Sequence, residues 1–594
     1  MSKLFAGAPY KASIDLPGDV QYAHSLMIHA RRTLALCLFA LTSQQGFAQT
    51  PDAGTLLRQQ PKPPEVTPAP ASPLLPAAPS AENEKDSGPK VTVKSFVFEG
   101  AVLVAKDDLS AALQPFVGKK LSFRQLQSLA PLLVAYYVER GYLARVILPP
   151  QEVKDGVITF QIIEGKRGSL NVNPEGERID SARVQRLIEA RMSTGAPMNL
   201  ASLGEAMAIL NEQPGVNAKV AMAPGKGEGE IDLKVSAVAT SLVAGSVGVN
   251  NQGSRSTGEL QAQGTFTLSN PTGHFDAASL LVNAADGSTF ARADYSTAVG
   301  DDGLRLGGNA SHLGYKVVQP GLTALGAHGT ADTAGLMVSY PLARRADFNL
   351  SLTGAYDAKK FIDLTKAGET GNRRVRVANL GVNGFVMPKP DSLLGGGVTS
   401  FGASLSLGDS HQLNAGALAT DSTTRKVEGG FTKLSYNLGH IRSLSQDWSL
   451  NTAFRGQFAD KNLDSAERIS LGGSSGVRAY PISEATGDEG WLLNLNVRRT
   501  INDALAATVF FDAGGITVNH TPWANWNAGS PRLTNRYELY GAGIGLDWRF
   551  APNALLNASL AAPIGNNAGR DAQNNNSDGR SNGPRAWLNL TAQF

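Results

Sequence analysis

The sequence holds a single cysteine, Cys37, among 594 residues. That residue lies in a segment read below as cleaved. The mature chain then has no thiol, which excludes disulfides and cysteine-based metal sites. No apolar run reaches the ~18 residues a membrane-spanning helix needs, so helical spans are excluded. Charge is also scarce. Charged residues make up 18% of the chain, against about 25% in soluble globular proteins. The formal net charge of +3 is too near zero to argue for nucleic acid. The eight histidines are scattered without metal-ligand spacing, and no phosphate-binding or zinc-protease motif occurs. Nothing therefore points to an enzyme or to a cofactor.

What is present is glycine, 64 residues of it, and short alternating segments. A chain this long exceeds a single core, so several domains are expected. Residues 27–48 read as a secretory signal: the basic pair Arg31-Arg32, the apolar run Leu34–Leu41 and a small-residue end at Gly46-Phe47-Ala48. Cleavage before Gln49 is expected. Residues 1–26 lack signal character, so Met27 is a candidate start, and 1–48 is taken as leader and signal peptide. In 49–60, residues Asp52–Gln60 have the wording of two helical turns with Asp52 near the N-cap. Such a helix is not stable alone. Residues 61–90 are a Pro-rich linker, able to reach ~90 Å if extended.

Order returns at Val91. The alternation Val91–Phe98 predicts a strand. A helix is expected near 106–115, and another over 122–140 with Ser122 as N-cap and Pro131 kinking or dividing it. Strands at 142–148 and 156–163 close this α+β unit, 91–165. A second unit of the same kind, 166–237, has a strand at 168–172, helices at 181–192 and 200–212, and a strand ending near Val235. Small open sheets of this type leave an unpaired edge that can accept an extended chain. Plain spacer domains are the alternative.

From 238 to 594 the pattern is period two. In Phe348–Tyr356, residues Phe348, Leu350, Leu352 and Tyr356 share one face, and Asn349, Ser351 and Thr353 the other. The last strand sets Ala586, Leu588, Leu590, Ala592 and Phe594 against Trp587, Asn589, Thr591 and Gln593. An apolar face for lipid and a polar face for a lumen predict a transmembrane antiparallel β-barrel. About 350 residues at ~22 per strand and connection give ~16 strands.

Leu471-Gly-Gly-Ser-Ser-Gly-Val-Arg-Ala-Tyr480 is a Gly-rich loop carrying Arg478 between Val477 and Tyr480. Downstream, Thr508, Phe510, Asp512 and Gly514 share one face of a strand. An aspartate there is tolerable beside a lumen and costly against lipid. Gly472–Gly476 also fits Gly-x-Ser-x-Gly. That motif needs a buried strand before it and a helix after it, and neither is expected around Ser474. Gly541-Ala-Gly-Ile-Gly545 superficially matches a dinucleotide fingerprint but runs on into a strand.

The loop resembles the Val-Arg-Gly-Tyr signature of the two-partner secretion transporters, with Ala479 where that family usually has glycine. Phe510-Phe-Asp-Ala-Gly514 matches their Phe-x-Asp-x-Gly motif. Gly141–Gln151, Asp155-Gly156 and Ile163-Glu-Gly165 resemble their first polypeptide-transport-associated (POTRA) domain. Leu210–Val216 and Ala223–Gly225 resemble the second. Gly248–Gly258 and Leu268–Gly273 look like their first barrel hairpin.

The resemblance implies two periplasmic POTRA domains before an outer-membrane pore that exports a large haemolysin- or adhesin-like partner protein, unfolded in transit. It implies that the loop folds back into the lumen, that Arg478 pairs with Asp512, and that a short N-terminal helix plugs the barrel; a plain tether with no plug is the alternative, since nothing else in the composition demands a plug. Replacing glycine by Ala479 argues against a positive φ there. Phe594 matches the ending read by the barrel-assembly machinery. Outer-membrane lipids are the remaining partner. The rival readings are a barrel-assembly factor of the same superfamily, a passive porin, and a surface esterase using Ser474.

Overall fold

The computed structural model describes residues 51–61, 89–528, 530 and 533–594. The signal segment with Cys37, and all but the ends of the Pro-rich linker, lie outside the described residues. A helix α1 (Ala53–Arg58) comes first.

The first α+β unit holds β1 (Lys90–Thr92), β2 (Ser95–Glu99), α2 (Lys106–Leu113), β3 (Lys120–Ser122), α3 (Phe123–Gln127), α4 (Leu129–Glu139), β4 (Ala144–Ile147) and β5 (Val157–Glu164). The single strand expected over 91–98 is two. β1 pairs with β3, whereas β2 runs parallel to β5. The chain changes partner at buried Val93, and Lys94 N–H then donates to the Gly156 carbonyl at 2.8 Å. The helix over 122–140 divides at Ser128. Ser122 and Gln125 form a reciprocal cap. Pro131 falls in the first turn of α4, where its missing N–H has no helical acceptor to lose.

The second unit holds β6 (Lys166–Glu175), α5 (Ser181–Glu189), α6 (Leu200–Asn211), β7 (Val216–Pro224) and β8 (Glu230–Ala239). Its sheet order is β6-β8-β7. Val184, Leu187 and Ile188 from α5 and Leu203, Met207 and Leu210 from α6 bury against that sheet. β8 runs on to Ala239, past the boundary at 237 read from the sequence.

Sixteen strands then close a barrel. They are β9 (Val243–Asn250), β10 (Gln261–Ser269), β11 (Ala277–Ala285), β12 (Ser288–Val299), β13 (Leu304–Lys316), β14 (His328–Arg344), β15 (Phe348–Thr365) and β16 (Gly368–Val386). They continue with β17 (Val398–Gln412), β18 (Gly429–Ser443), β19 (Trp448–Ala459), β22 (Glu489–Asn502), β23 (Leu505–Thr517), β24 (Arg536–Ala551), β25 (Ala554–Ile564) and β26 (Arg585–Gln593). A small pair, β20 (Ile469–Ser470) and β21 (Thr486–Gly487), interrupts the order. One loop helix, α7 (Ala415–Thr423), lies between β17 and β18.

All barrel neighbours are antiparallel, and β26 closes on β9. Phe594 and Gly245 exchange two backbone hydrogen bonds of 3.0 Å at that seam. The Phe594 ring is 65% exposed, on the side of Leu588 and Leu590. The period-two pattern is clean on β16: Arg373, Val375 and Val377 are buried, whereas Arg374, Arg376, Ala378 and Leu380 are exposed.

The second unit is fastened to one end of the barrel. Arg178 donates to the Ser269 carbonyl, Arg183 to Ala298, and Arg191 to Asp301 and Asp302. In return Arg344 of β14 donates to Glu212 at 2.6 Å and Arg305 of β13 to Gln213 at 2.9 Å. Phe275 and Ala298 complete the same hydrophobic core from the barrel side.

Candidate functional site

The segment between β19 and β22, residues 460–488, is long enough to turn back, and its glycines let it do so. Gly476 could carry no Cβ, because the Leu471 carbonyl oxygen lies 2.0 Å from where one would stand. The tip is apolar and buried: Leu471, Val477, Ala479 and Tyr480 have no exposed surface. They pack with Leu492, Phe510, Leu539 and Ala561 of the barrel wall. The loop therefore lies inside the barrel.

The tip places Arg478 against β23. Its Nε donates to Asp512 Oδ2 at 2.8 Å and its Nη2 to Oδ1 at 2.6 Å, a two-pronged contact. The Arg478 backbone N–H adds a third bond to Oδ2, at 3.0 Å. Asn494 Nδ2 donates to Asp512 Oδ1 at 2.7 Å, and Asn496 Oδ1 accepts from Arg478 at 2.8 Å. The Arg478 guanidinium carbon sits 3.4 Å from the centroid of the Phe510 ring. Asp512 is fully buried. Such a carboxylate is tenable because Arg478 and Asn494 together donate four hydrogen bonds to it.

Small residues make the seat. A Cβ at Gly514 would meet Leu471 at 3.1 Å, and one at Gly541 would meet Ala479 Cβ at 2.7 Å. Gly541, Gly543 and Gly545 thus make a smooth inner track of β24, with Ile544 between them facing out. Ala479 is absent from the residues with positive φ, so alanine costs no backbone strain. Among the described residues, no histidine or carboxylate is hydrogen-bonded to Ser474.

Three partners were missed in the sequence. Trp587, on the inward face of β26, donates from Nε1 to the Arg478 carbonyl at 2.7 Å. Asn494 and Asn496 alternate with Leu493, Leu495 and Val497 on β22, a polar face that carried the clue.

The stem of the loop is held by charge. Glu467 takes Lys359 at 2.6 Å and Lys433 at 2.7 Å. Arg468 and Asp488 are paired at 3.0 Å. Glu484 accepts from Ser577 N–H at 2.7 Å, tying the loop to the segment between β25 and β26.

Helix α1 lies beside this loop. Asp52 caps it by accepting from Thr55 N–H, and also accepts from Arg373 at 2.9 Å and from Ser465 at 2.6 Å. Ala53 N–H donates to Asp363 at 2.8 Å. Arg58 donates to the Arg468 carbonyl and Gln59 to Ser483. Ala53 and Leu56 bury against Leu313, Phe361, Val375 and Leu463. Gly54 passes so close that a Cβ there would stand 2.6 Å from Ser465 Oγ and 2.7 Å from Arg373 Nη2.

A family model, haemolysin secretion/activation protein ShlB/FhaC/HecB, matches residues 229–577. The chain belongs to this family. A second model, the ShlB-type POTRA domain, matches residues 91–165. Among characterised relatives, the heme/hemopexin transporter protein HuxB of Haemophilus influenzae is 27% identical over 500 residues, covering 83% of this chain and 85% of that one. The hemolysin transporter protein ShlB of Serratia marcescens is 25% identical, covering 81% and 84%. The solved structure of CdiB from Escherichia coli superposes with a TM-score of 0.65 at 20% identity, covering 88% of this chain and 94% of that one.

The protein is therefore a two-partner secretion transporter that passes a partner exoprotein across the outer membrane. Its barrel spans that membrane and its POTRA domains lie in the periplasm. The 243 end of β9 is periplasmic, and the 460–488 loop enters the lumen from the cell surface.

Proposed function

We propose that this chain rests as a closed pore and opens for one large haemolysin- or adhesin-like exoprotein. The single supporting observation is the double obstruction of the lumen by α1 and by the loop whose tip holds Arg478 on Asp512. In this reading Arg478, Asp512, Val477, Tyr480, Phe510 and Gly514 act together as the loop's lock, and α1 is a plug.

The sheet edges β4 and β7, and β6 beyond Arg167, suit an extended, unfolded chain added by backbone hydrogen bonds. Helix α1 is linked to the first POTRA domain through residues 61–90, so capture at the POTRA sheets and release of the plug are mechanically connected. Export is driven by folding of the cargo outside, with no chemical step by this chain. Phe594 serves as the signal for the barrel-assembly machinery.

The test is a paired proteome of culture medium and outer membrane with and without the gene. Loss of one large exoprotein from the medium, with other barrels at normal levels, supports the reading. A joint fall of many barrels would favour an assembly factor, and no change in either fraction would favour a passive porin.

A further inference from the structure

Lys360, Arg374 and Arg376 stand together on the outer wall of the barrel. All three are exposed, and their strand neighbours Phe361, Arg373, Val375 and Val377 are buried. Lys360 lies directly opposite Arg374. The row continues to Asp332 on one side and His411 on the other. Arg376 lies one step further down β16, opposite Ala358 and Asp409.

Like charges directly opposite one another oppose pairing; Asp409 stands opposite Arg376 without an ion pair to it, and the Lys360–Arg374 pair has no unengaged carboxylate opposite it. Asp332 is engaged with His312 at 2.7 Å, and His411 with Glu428 at 2.6 Å. Among the described residues, no ion pair or hydrogen bond joins the three cations to an acceptor.

Their height is informative. Below them the outward residues are apolar or small: Leu352, Tyr356 and Ala358 on β15, Leu380 and Val382 on β16, Leu405 and Leu407 on β17. From Phe348 to Ala358, at ~3.3 Å per residue and a tilt of ~40°, this band is about 25 Å tall, the thickness of the hydrocarbon layer. The cations begin where the band ends, on the side away from the POTRA domains. That is the level of the outer-leaflet headgroups.

We propose that Lys360, Arg374 and Arg376 form a binding site for the phosphate groups of an outer-leaflet glycolipid, a phosphorylated and acylated sugar. Guanidinium forks suit phosphate oxygens in pairs, and the lysine adds a point charge. The acyl chains lie down the wall against Leu380 and Leu405, continuous with the lipid-facing band. The bound headgroup neutralises the row of cations and staples β15 to β16, the two strands that carry Asp363 and Arg373 toward α1.

The full chain, purified from outer membranes in mild detergent, tests this. Glycolipid retained per mole of protein is measured from its hydroxylated fatty acids. K360Q/R374Q/R376Q is expected to retain about tenfold less than the unsubstituted chain, whereas K360R and the loop control K366Q/K426Q retain the full amount. Heat-dependent gel mobility reports whether each barrel is folded. If the triple variant does not fold, R374Q and R376Q alone are each expected to lose about threefold. Unchanged retention in the folded glutamine variants, equal loss in the loop control, or equal binding of enzymatically dephosphorylated glycolipid overturns the proposal. Displacement of the glycolipid by millimolar inorganic phosphate also overturns it, by assigning the site to the free anion.

Discussion

The indole N–H of Trp587 donates a 2.7 Å hydrogen bond to the carbonyl oxygen of Arg478. The last strand of the barrel thereby grips the backbone of the loop tip, while β23 grips its side chain. Trp587→Phe keeps the ring packing and removes only this bond, a loss of about 1 kcal/mol. Secretion is expected to fall modestly, with barrel abundance unchanged. Secreted partner per folded barrel, by quantitative immunoblot, checks it; full secretion would assign the indole to packing alone.

Arg478→Ala and Asp512→Ala each leave a charge without its partner in a buried site, at a cost of about 3 kcal/mol. Both are expected to impair secretion strongly. The double variant should be no worse than either single one, because the two residues act as a unit. Secretion assays at matched outer-membrane abundance decide this. Normal export by both single variants would sink the pairing.

Gly541→Ala places a methyl 2.7 Å from that of Ala479. Overpacking of this kind costs about 1–3 kcal/mol and should unseat the loop. Ala479→Gly in the same chain should restore secretion. Failure of that rescue would place the fault in β24 itself.

Gly54→Val drives a side chain into Ser465 and Arg373 and is expected to displace α1. In planar bilayers the variant should show larger and more frequent conductance steps than the parent. Asp52→Asn, which weakens the contact with Arg373, should act in the same direction and less strongly. Parental conductance in Gly54→Val would mean that α1 does not obstruct the pore.

In the first POTRA domain, Tyr137 donates to Glu164 Oε1 at 2.8 Å. Burial, reinforced by that carboxylate, raises the phenol above its ordinary value. A phenol whose folded value is raised contributes stability in full below its unfolded value of about 10. The contribution is lost as pH climbs from there through the folded value. Limited proteolysis of residues 91–165 should accelerate across that alkaline window, and Tyr137→Phe should flatten the response.

Much of this was legible because strands write their exposure in period two. Alternation marked the barrel and the outward face of Phe594; the count of about sixteen strands came from length, and the inward face of Asp512 from alternation together with the cost of a charge against lipid. The split of 91–98 was missed although it leaves a mark: the apolar positions shift phase from Val91 and Val93 to Phe96 and Phe98, with Lys94 and Ser95 both exposed where the chain changes partner from β3 to β5. The network around Arg373 leaves no such mark. It joins Asp52, Asp363 and Asp464, residues brought together only by closure of the barrel and entry of α1. Arg374, beside it, reads identically in sequence and faces the opposite way.

The arginines of the second POTRA domain hold the turns after β10 and β12, and Arg344 returns the grip from β14. One side of the periplasmic rim is thus pinned at fixed circumference. A mouth that cannot dilate there sets a rule for its passenger. Under the proposed mode of export, the exoprotein is expected to arrive as a single extended thread, and a disulfide-closed loop or an early folded domain placed in it is expected to jam at the entrance.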